Sequence, residues 1–243
     1  PEIEQIFFEN SKNLNDEDYE KELFILRRKI EKRIPPNAKK DFYICSLSSK
    51  SIVYKGMFLA EQIDKFYPDL MHKEFISNFA IFHQRYSTNT FPTWSLAQPF
   101  RVLAHNGEIN TIQGNINWSV IHESKMFSEN LGDNIKEIFP IIQDGASDSA
   151  ALDSFYELLL NSGKDLPMIK ALTIPEAKNK NQSTQIKDFF EYCYSVLEPW
   201  DGPAAIAAYG KDWVIAGMDR NGFRPMRYTI TKNNILFVGS ETG

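Results

Sequence analysis

Residues 82–118 read FHQRYSTNTFPTWSLAQPFRVLAHNGEINTIQGNINW, and the organisation of the chain follows from this stretch. Its apolar runs predict two strands, and isoleucines with the spacing of one helix face follow them. Two arginines, several hydroxyls and amides, two histidines and two glycines surround the apolar runs. Polar residues in loops that rigid strands hold in place commonly bind ligands or take part in catalysis. The stretch therefore predicts a functional site.

The composition describes one domain with a sizeable core and a small-molecule partner. The chain has 243 residues, 42% of them hydrophobic, and its 18 Phe and 10 Tyr favour a sheet-rich interior. Because nothing resembles a long linker, residues 1–243 are expected to form a single domain. A net charge of −5 and a pI near 5.5 argue against a nucleic acid or an anionic membrane as the partner.

The cysteines and the amino end favour a cytoplasmic protein. Cys45 and Cys193 lie in the apolar strings FYICSL and FEYCYSVL, which favours buried thiols in a reducing compartment over a disulfide. The amino end, PEIEQIFFEN, is acidic and lacks the basic and apolar segments of an export signal. No run of about 18 apolar residues occurs, so the sequence predicts no membrane span.

Hydrophobic periodicity predicts strands towards both ends of the chain and helices in the middle. Helices are predicted at residues 15–33, 58–66, 110–127, 147–163 and 189–197, and a solvated polar loop at residues 176–187. Strands are predicted at residues 3–8, 41–47, 51–54, 79–84, 101–104, 204–209, 213–218, 226–230 and 235–238.

Arg85 follows the apolar run at residues 79–84 and precedes the hydroxyls of Tyr86, Ser87 and Thr88. A guanidinium there can clamp a carboxylate through two parallel hydrogen bonds, while the hydroxyls bind the same oxygens. For a single arginine, a structural salt bridge is the usual alternative. The polar neighbours of Arg85 favour the carboxylate-binding role.

The dipeptide Asn106-Gly107 has two interpretations of equal weight. Asn-Gly is the commonest signal for a two-residue hairpin turn. It can also form an oxyanion hole, in which the Asn106 amide and the Gly107 backbone N–H donate to a developing negative oxygen. Glycine at the second position permits a close approach.

Asp148 lies at the start of a predicted helix, where capping is the ordinary role of a carboxylate. The same helix terminus keeps the carboxylate ionised, as binding of a ligand ammonium group requires. Arg85 for a carboxylate and Asp148 for an amine together describe a pocket for an α-amino acid.

Three other kinds of site are not supported. The four histidines have spacings that match no common set of metal ligands, so no metal is predicted. Ser147, His105 and Asp148 could be combined into a hydrolase triad, but no nucleophile elbow accompanies them. The glycine patterns of dinucleotide sites and P-loops are absent.

Four blocks of the sequence resemble one protein family. They are HQRYSTNTFPTWSLAQPFRVLAHNGEINTIQGNINW, QDGASDSAALD, EPWDGPAA and DRNGFRPMRY, in this order. The blocks resemble the glutaminase domain of the glutamate synthase large subunit, a class II glutamine amidotransferase of the N-terminal-nucleophile type. The resemblance runs from Phe42 to Gly243 and is weakest at residues 176–187 and at the amino end.

The resemblance implies how the substrate, L-glutamine, would be bound. Arg85 would bind its α-carboxylate and Asp148 its α-amino group, while Tyr86 and Thr88 would line the pocket. For Arg85 and Asp148, these roles coincide with those that the residue chemistry suggests.

The resemblance also implies the catalytic groups. Asn106 and Gly107 would form the oxyanion hole, and His105 and Glu108 would fix the turn around it. The family's nucleophile is the cysteine at the mature amino terminus, whose own amine serves as the base. This chain begins with Pro1, so we expect the given residues to lie downstream of the nucleophile and to bind glutamine without hydrolysing it.

The fold that the resemblance implies is α+β, the four-layer αββα sandwich of N-terminal-nucleophile hydrolases, with its amino-terminal part missing here. The implied reaction is hydrolysis of glutamine to glutamate and ammonia, which then aminates 2-oxoglutarate in downstream synthase domains. FMN, an iron–sulfur cluster and an electron donor, either a small subunit or ferredoxin, would serve those domains, and this segment would bind no cofactor. The expected location is the cytoplasm, or a plastid in a eukaryote.

Two alternatives stay open at this point. One is the glutaminase domain of another class II amidotransferase, such as a phosphoribosyl-pyrophosphate or fructose-6-phosphate type. The other is a catalytically inactive module that only binds glutamine.

Overall fold

The computed structural model describes residues 2–85 and 92–241 of the chain. Its helices are α1 (Asp16–Arg33), α2 (Ile63–Phe66), α3 (Ile112–Glu123), α4 (Ile135–Ile138), α5 (Asp148–Asn161), α6 (Leu166–Thr173) and α7 (Thr184–Val196). Its strands are β1 (Leu103–Gly107), β2 (Ala204–Gly210), β3 (Trp213–Met218), β4 (Arg227–Ile230) and β5 (Leu236–Gly239). None of the helices in these ranges has the length and apolar content to cross a bilayer.

The strands form two antiparallel sheets. The larger sheet has the order β1-β2-β3, and β4 and β5 form a separate hairpin. In the larger sheet Leu103 lies opposite Ala208 and Gly107 opposite Ala204. A strand from the middle of the chain is therefore paired with one that follows almost a hundred residues later, so long-range contacts fix the position of β1.

The core lies where α5 and α6 pack against the larger sheet. Leu152 and Tyr156 on α5 and Ile169 on α6 are fully buried. The middle strand β2 presents small side chains, and Ala204 and Ala208 are completely inaccessible to solvent. Small residues on a central strand let the helices approach closely, which supports a dense core.

Buried arginines attach α1 to this core. The Arg27 guanidinium, 2% exposed, contacts Glu31 at 2.7 Å and Glu157 of α5 at 2.6 Å. Arg28 contacts Glu31 at 3.0 Å and donates to the Ile138 carbonyl at 2.5 Å. A charge removed from water destabilises a fold unless it is paired, and each of these arginines has a partner.

Most of the predicted elements with local signals are confirmed. Helix α1 begins at Asp16 because the Asn15 side chain accepts a hydrogen bond from the Asp18 N–H. The predicted helices at residues 58–66, 110–127 and 147–163 are present, although the second is shorter and the first is partly a 3-10 helix. The four predicted strands after residue 203 are also confirmed.

Four predicted strands are wrong, at residues 3–8, 41–47, 51–54 and 79–84, because none of them forms a ladder with another described strand. Side chains bond to the backbone of these segments instead. Ser46 accepts from the Val53 N–H at 3.2 Å, and Arg101 donates to the Ile44 carbonyl at 2.7 Å. β-propensity marks an apolar, pleated segment, but only a paired partner makes it a strand.

Two further boundaries differ from the sequence-based expectation. The segment at residues 176–187 was predicted to be a loop throughout, but α7 begins at Thr184 because the Ser183 hydroxyl accepts from the Ile186 N–H. The strand predicted at residues 101–104 extends from Leu103 through Gly107. Mixed helices and antiparallel sheets are compatible with the α+β class expected from the sequence.

Removing the N-cap hydroxyl of α5 is expected to loosen the first turn of that helix. The Ser147 hydroxyl accepts from the Ala150 N–H at 3.2 Å, and such a cap stabilises a helix by about 1 kcal/mol. In Ser147→Ala, amides of the first turn should exchange hydrogen about fivefold faster. Ser154→Ala is the matched control, because Ser154 lies inside the same helix and donates only to the Ala150 carbonyl. Equal exchange in both variants would contradict the capping role.

Candidate functional site

Strand β1 carries the central residues of the candidate site. The backbone N–H of Tyr209 donates to the Val102 carbonyl, and the backbone N–H of Glu108 donates to the Pro203 carbonyl, both at 2.9 Å. The even-numbered residues of β1 therefore direct their backbone groups towards β2. Successive residues of an antiparallel strand alternate between bonding to the partner strand and facing away from it. The backbone N–H groups of His105 and Gly107 therefore point to the opposite edge of β1. Because both Asn106 and Gly107 lie in the strand, the hairpin-turn interpretation of Asn-Gly is wrong.

Gly107 is required by a close backbone approach. An added Cβ would lie 1.8 Å from the Pro203 carbonyl oxygen, and the backbone φ of +154° is one that L side chains rarely adopt. The next residue, Glu108, is bonded through its N–H to the same carbonyl. Glycine thus lets β1 and the start of β2 approach at the point where the Gly107 N–H turns outward.

The Asn106 side chain is held by a distant residue. Its Nδ2 donates to the Ser240 Oγ at 2.8 Å, which joins β1 to the segment directly after β5. This bond uses one of the two hydrogens on the amide nitrogen and leaves a second for a ligand oxygen. Ser240 was not predicted as a site residue, because no local pattern of the sequence indicates a contact across 134 residues.

Asp148, the first residue of α5, is connected to the segment that follows β1. Its Oδ2 accepts from the Ile109 N–H at 2.8 Å, and its Oδ1 accepts from the Ser149 N–H at 2.7 Å. The N-cap of the helix is Ser147, so capping is not the role of Asp148. Among the described residues, Oδ2 accepts only the hydrogen bond from the Ile109 N–H and has a further lone pair, so it can still accept from an ammonium group.

His105 is buried beneath this site. Its Nδ1 lies 2.8 Å from the Ser149 Oγ, which lies 3.3 Å from the Asp148 Oδ1. Burial lowers the pKa of His105 well below its usual range, although the Asp148 carboxylate opposes this shift. The carboxylate thus contacts the serine rather than the histidine. This order differs from a Ser-His-Asp triad and agrees with the rejection of a triad from the sequence.

The remaining predicted substrate-binding residues lie at the edge of the described chain. Arg85 is exposed, and its carbonyl lies 2.6 Å from the Nδ1 of His83, which is close enough to His105 to influence its pKa. Tyr86 and Thr88 lie outside the described residues. The structure does not bring the Arg85 side chain into a described contact with Asp148.

Asp219 organises a turn beside the candidate oxyanion hole, and sequence analysis gave it no role. Its Oδ2 accepts from the N–H groups of Ala204 at 3.1 Å and Arg224 at 2.8 Å, and its Oδ1 from those of Asn221 and Phe223. Burial alone would raise the pKa of Asp219, but these four N–H groups lower it below its usual value. An aspartate at the start of a Gly-containing turn was the available signal.

The chain is similar to proteins of one family. The family model for class-II glutamine amidotransferases matches residues 1–243. The chain is 55% identical to the glutamate synthase [NADPH] large chain of Azospirillum brasilense and 46% identical to the ferredoxin-dependent glutamate synthase of Pyropia yezoensis. Each comparison covers 100% of this chain and 16% of the relative.

A third relative is the glutamate synthase [NADH] of Saccharomyces cerevisiae, 40% identical over 100% of this chain and 11% of its own length. The chain thus spans less than a fifth of the length of these relatives. The resemblance to the glutaminase domain of glutamate synthase, predicted from four blocks of sequence, is confirmed. The chain belongs to the class-II glutamine amidotransferases.

Proposed function

We propose that this chain is the glutamine-hydrolysing domain of a glutamate synthase. The observation that carries the proposal is the end of β1, where the Gly107 N–H turns away from β2 beside the Asn106 amide. Asp148 supports the same segment through its bond to the Ile109 N–H. The relatives are named glutamate synthases, which suggests that the released ammonia would be used to make glutamate.

Asn106 and Gly107 would stabilise the oxyanion that forms when a thiolate attacks the side-chain amide carbon of glutamine. Each donor of this kind contributes about 3 kcal/mol to transition-state stabilisation. The attacking thiolate would come from a cysteine outside the given residues, since neither Cys45 nor Cys193 lies near the end of β1 in sequence or in the described contacts. Collapse of the tetrahedral intermediate would release ammonia and leave a thioester, which water hydrolyses to glutamate.

The α-amino acid end of glutamine would be bound on the other side of the reacting amide. Asp148 would accept hydrogen bonds from the ammonium group, and Arg85 would bind the carboxylate, with Tyr86 and Thr88 lining the pocket. His105 and Glu108 would hold the backbone around the oxyanion hole.

In the full-length protein, ammonia would pass to synthase domains of the same chain and aminate 2-oxoglutarate with electrons from a small subunit or ferredoxin. FMN and an iron–sulfur cluster would supply the redox chemistry there. The ligands of that cluster would lie in those synthase domains. We propose the four-layer αββα sandwich for the complete domain, residues 1–243 as a part of that single domain, and the cytoplasm or a plastid as its location.

Replacing Asp148 tests the proposed function in the full-length protein. Asp148→Ala is expected to raise the KM for glutamine at least tenfold, because the ammonium group loses its partner, while activity with free ammonia stays nearly unchanged. Asp148→Asn can still accept from the Ile109 N–H but has no charge, so it should also raise the KM. Asp144→Ala, at an exposed position of the loop that precedes α5, is the matched control.

Two outcomes would contradict this assignment. Equal loss of the glutamine-dependent and ammonia-dependent activities in Asp148→Ala would show that the residue supports the whole protein rather than substrate binding. A raised KM in Asp148→Ala together with a normal KM in Asp148→Asn would show that Asp148 acts only through the Ile109 N–H.

A further inference from the structure

The outer edge of β1 is paired by a side chain. Odd-numbered residues of β1 direct their backbone groups away from β2, and within the described residues no strand lies along that edge. The side chain of Gln98 occupies the position opposite His105. Its Nε2 donates to the His105 carbonyl at 2.7 Å, and its Oε1 accepts from the His105 N–H at 2.6 Å.

A carboxamide has one carbonyl and one N–H side, so it can bond to a strand as a peptide unit of a neighbouring strand would. The Gln98 carboxamide therefore takes the place of one peptide group of a neighbouring strand. Gly107 is the next residue of β1 whose N–H points to the same edge, and it lies two positions, about 6.8 Å, further along the strand. The Gln98 contact ends just before the candidate oxyanion hole, and no strand of the described part of the chain pairs with that edge at Gly107.

Hydrogen bonds to the residues on both sides of Gln98 fix its backbone. The Lys55 ammonium, 4% exposed, donates to the Ala97 carbonyl at 2.8 Å and to the Ser95 carbonyl at 3.0 Å. On the other side, the Phe100 N–H donates to the Leu103 carbonyl at 2.8 Å. Ala97 and Phe100 are almost fully buried, so the segment that carries Gln98 has little freedom to move.

We propose that Gln98 is a positioning residue for glutamine hydrolysis: its two hydrogen bonds to His105 fix the register and pleat of β1, and thereby the places of the Asn106 and Gly107 donors. The inference rests on the proposed function. A displacement of about 1 Å in a catalytic group can reduce the rate by as much as 10²-fold. Gln98 contacts neither of the donors' own hydrogen-bonding groups, so its effect reaches the substrate only through the strand.

Three substitutions in the full-length protein test this role. Gln98→Met removes both hydrogen bonds and should lower the glutaminase kcat about tenfold with little change in the KM for glutamine. Gln98→Glu keeps the acceptor for the His105 N–H but places a carboxylate beside the His105 carbonyl, which raises the pKa of the new carboxyl group. Protonation restores the missing donor. The exposed Gln113, replaced by methionine, is the matched control.

The decisive measurement is the kcat of each variant relative to wild type as the pH is lowered from about 8 to about 6. Each kcat is normalised to active sites titrated with an electrophilic glutamine analogue, so a misfolded fraction does not affect it. The expected result is recovery of Gln98→Glu towards wild type at low pH, without recovery of Gln98→Met. Parallel pH profiles for the two variants, or a wild-type kcat in both, would overturn the inference while the proposed function stands. No glutamine hydrolysis in the wild-type protein would overturn both.

Discussion

Replacing Asn106 with alanine is expected to lower the glutaminase kcat of the full-length protein by about 10²- to 10³-fold and to leave the KM for glutamine nearly unchanged. The Asn106 amide would donate to an oxygen that becomes negative only in the transition state, so its loss affects the chemical step more than binding. The bond from Nδ2 to the Ser240 Oγ fixes the orientation of the amide and leaves its second N–H hydrogen for the oxyanion.

The control for this experiment is Asn110→Ala. Asn110 is exposed, lies shortly after β1, and bonds to the Asp201 carbonyl only through its backbone N–H, which alanine retains. Its kcat and KM should match those of the wild-type protein. A normal kcat in Asn106→Ala would show that another group holds the oxyanion. A large rise in KM would place the amide in ground-state binding instead.

Short-range signals explain what the sequence could predict about this fold. The asparagine before α1 and the serine before α5 are side chains that cap a helix through residues three positions away, so the sequence itself contains the interaction. The strands at residues 204–209 and 213–218 could be predicted equally well, because a short turn connects β2 directly to β3. These confirmed elements have their partners close in the sequence, whereas β1 is a confirmed strand whose partner is distant.

Long-range pairing explains the errors. Residues 41–47 and 51–54 are as apolar and aromatic as strands, but the Ile44 carbonyl bonds to the Arg101 side chain and the Val53 N–H to the Ser46 hydroxyl. The dipeptide Asn106-Gly107 has the composition of a hairpin turn. It nevertheless belongs to a strand, because it pairs with β2, which follows almost a hundred residues later. Periodicity describes one segment and carries no information about which distant segment will lie next to it.

The candidate site divides in the same way. Asn106, Gly107 and Asp148 were identified from their chemistry and from motifs that the family shares. Gln98 and Ser240 were missed because their importance lies in contacts with β1 rather than in their residue type. A glutamine or a serine becomes a positioning residue only when the fold brings it close to a strand. The residues next to it in the sequence carry no signal of that role.

The largest effect on the candidate site is expected from Gly107→Ala. A Cβ at this position would lie 1.8 Å from the Pro203 carbonyl oxygen, so the end of β1 must move away from the start of β2. A residue forced into an unfavourable backbone conformation adds about 1–3 kcal/mol of strain. Because the shift moves the Gly107 N–H and the adjoining Asn106 amide together, the glutaminase kcat should fall by more than about 10³-fold.

Gly114→Ala separates this local effect from a general cost of replacing glycine. Gly114 lies inside α3 with no atom within 4 Å of an added Cβ, and alanine in a helix is favoured over glycine by about 1 kcal/mol. This variant should keep full activity and be at least as stable as wild type. Gly107→Ala should retain ammonia-dependent activity, since its strain is confined to the junction of β1 and β2. If Gly107→Ala hydrolyses glutamine normally, the two strands separate there without cost, and the Gly107 N–H is not a donor to the oxyanion.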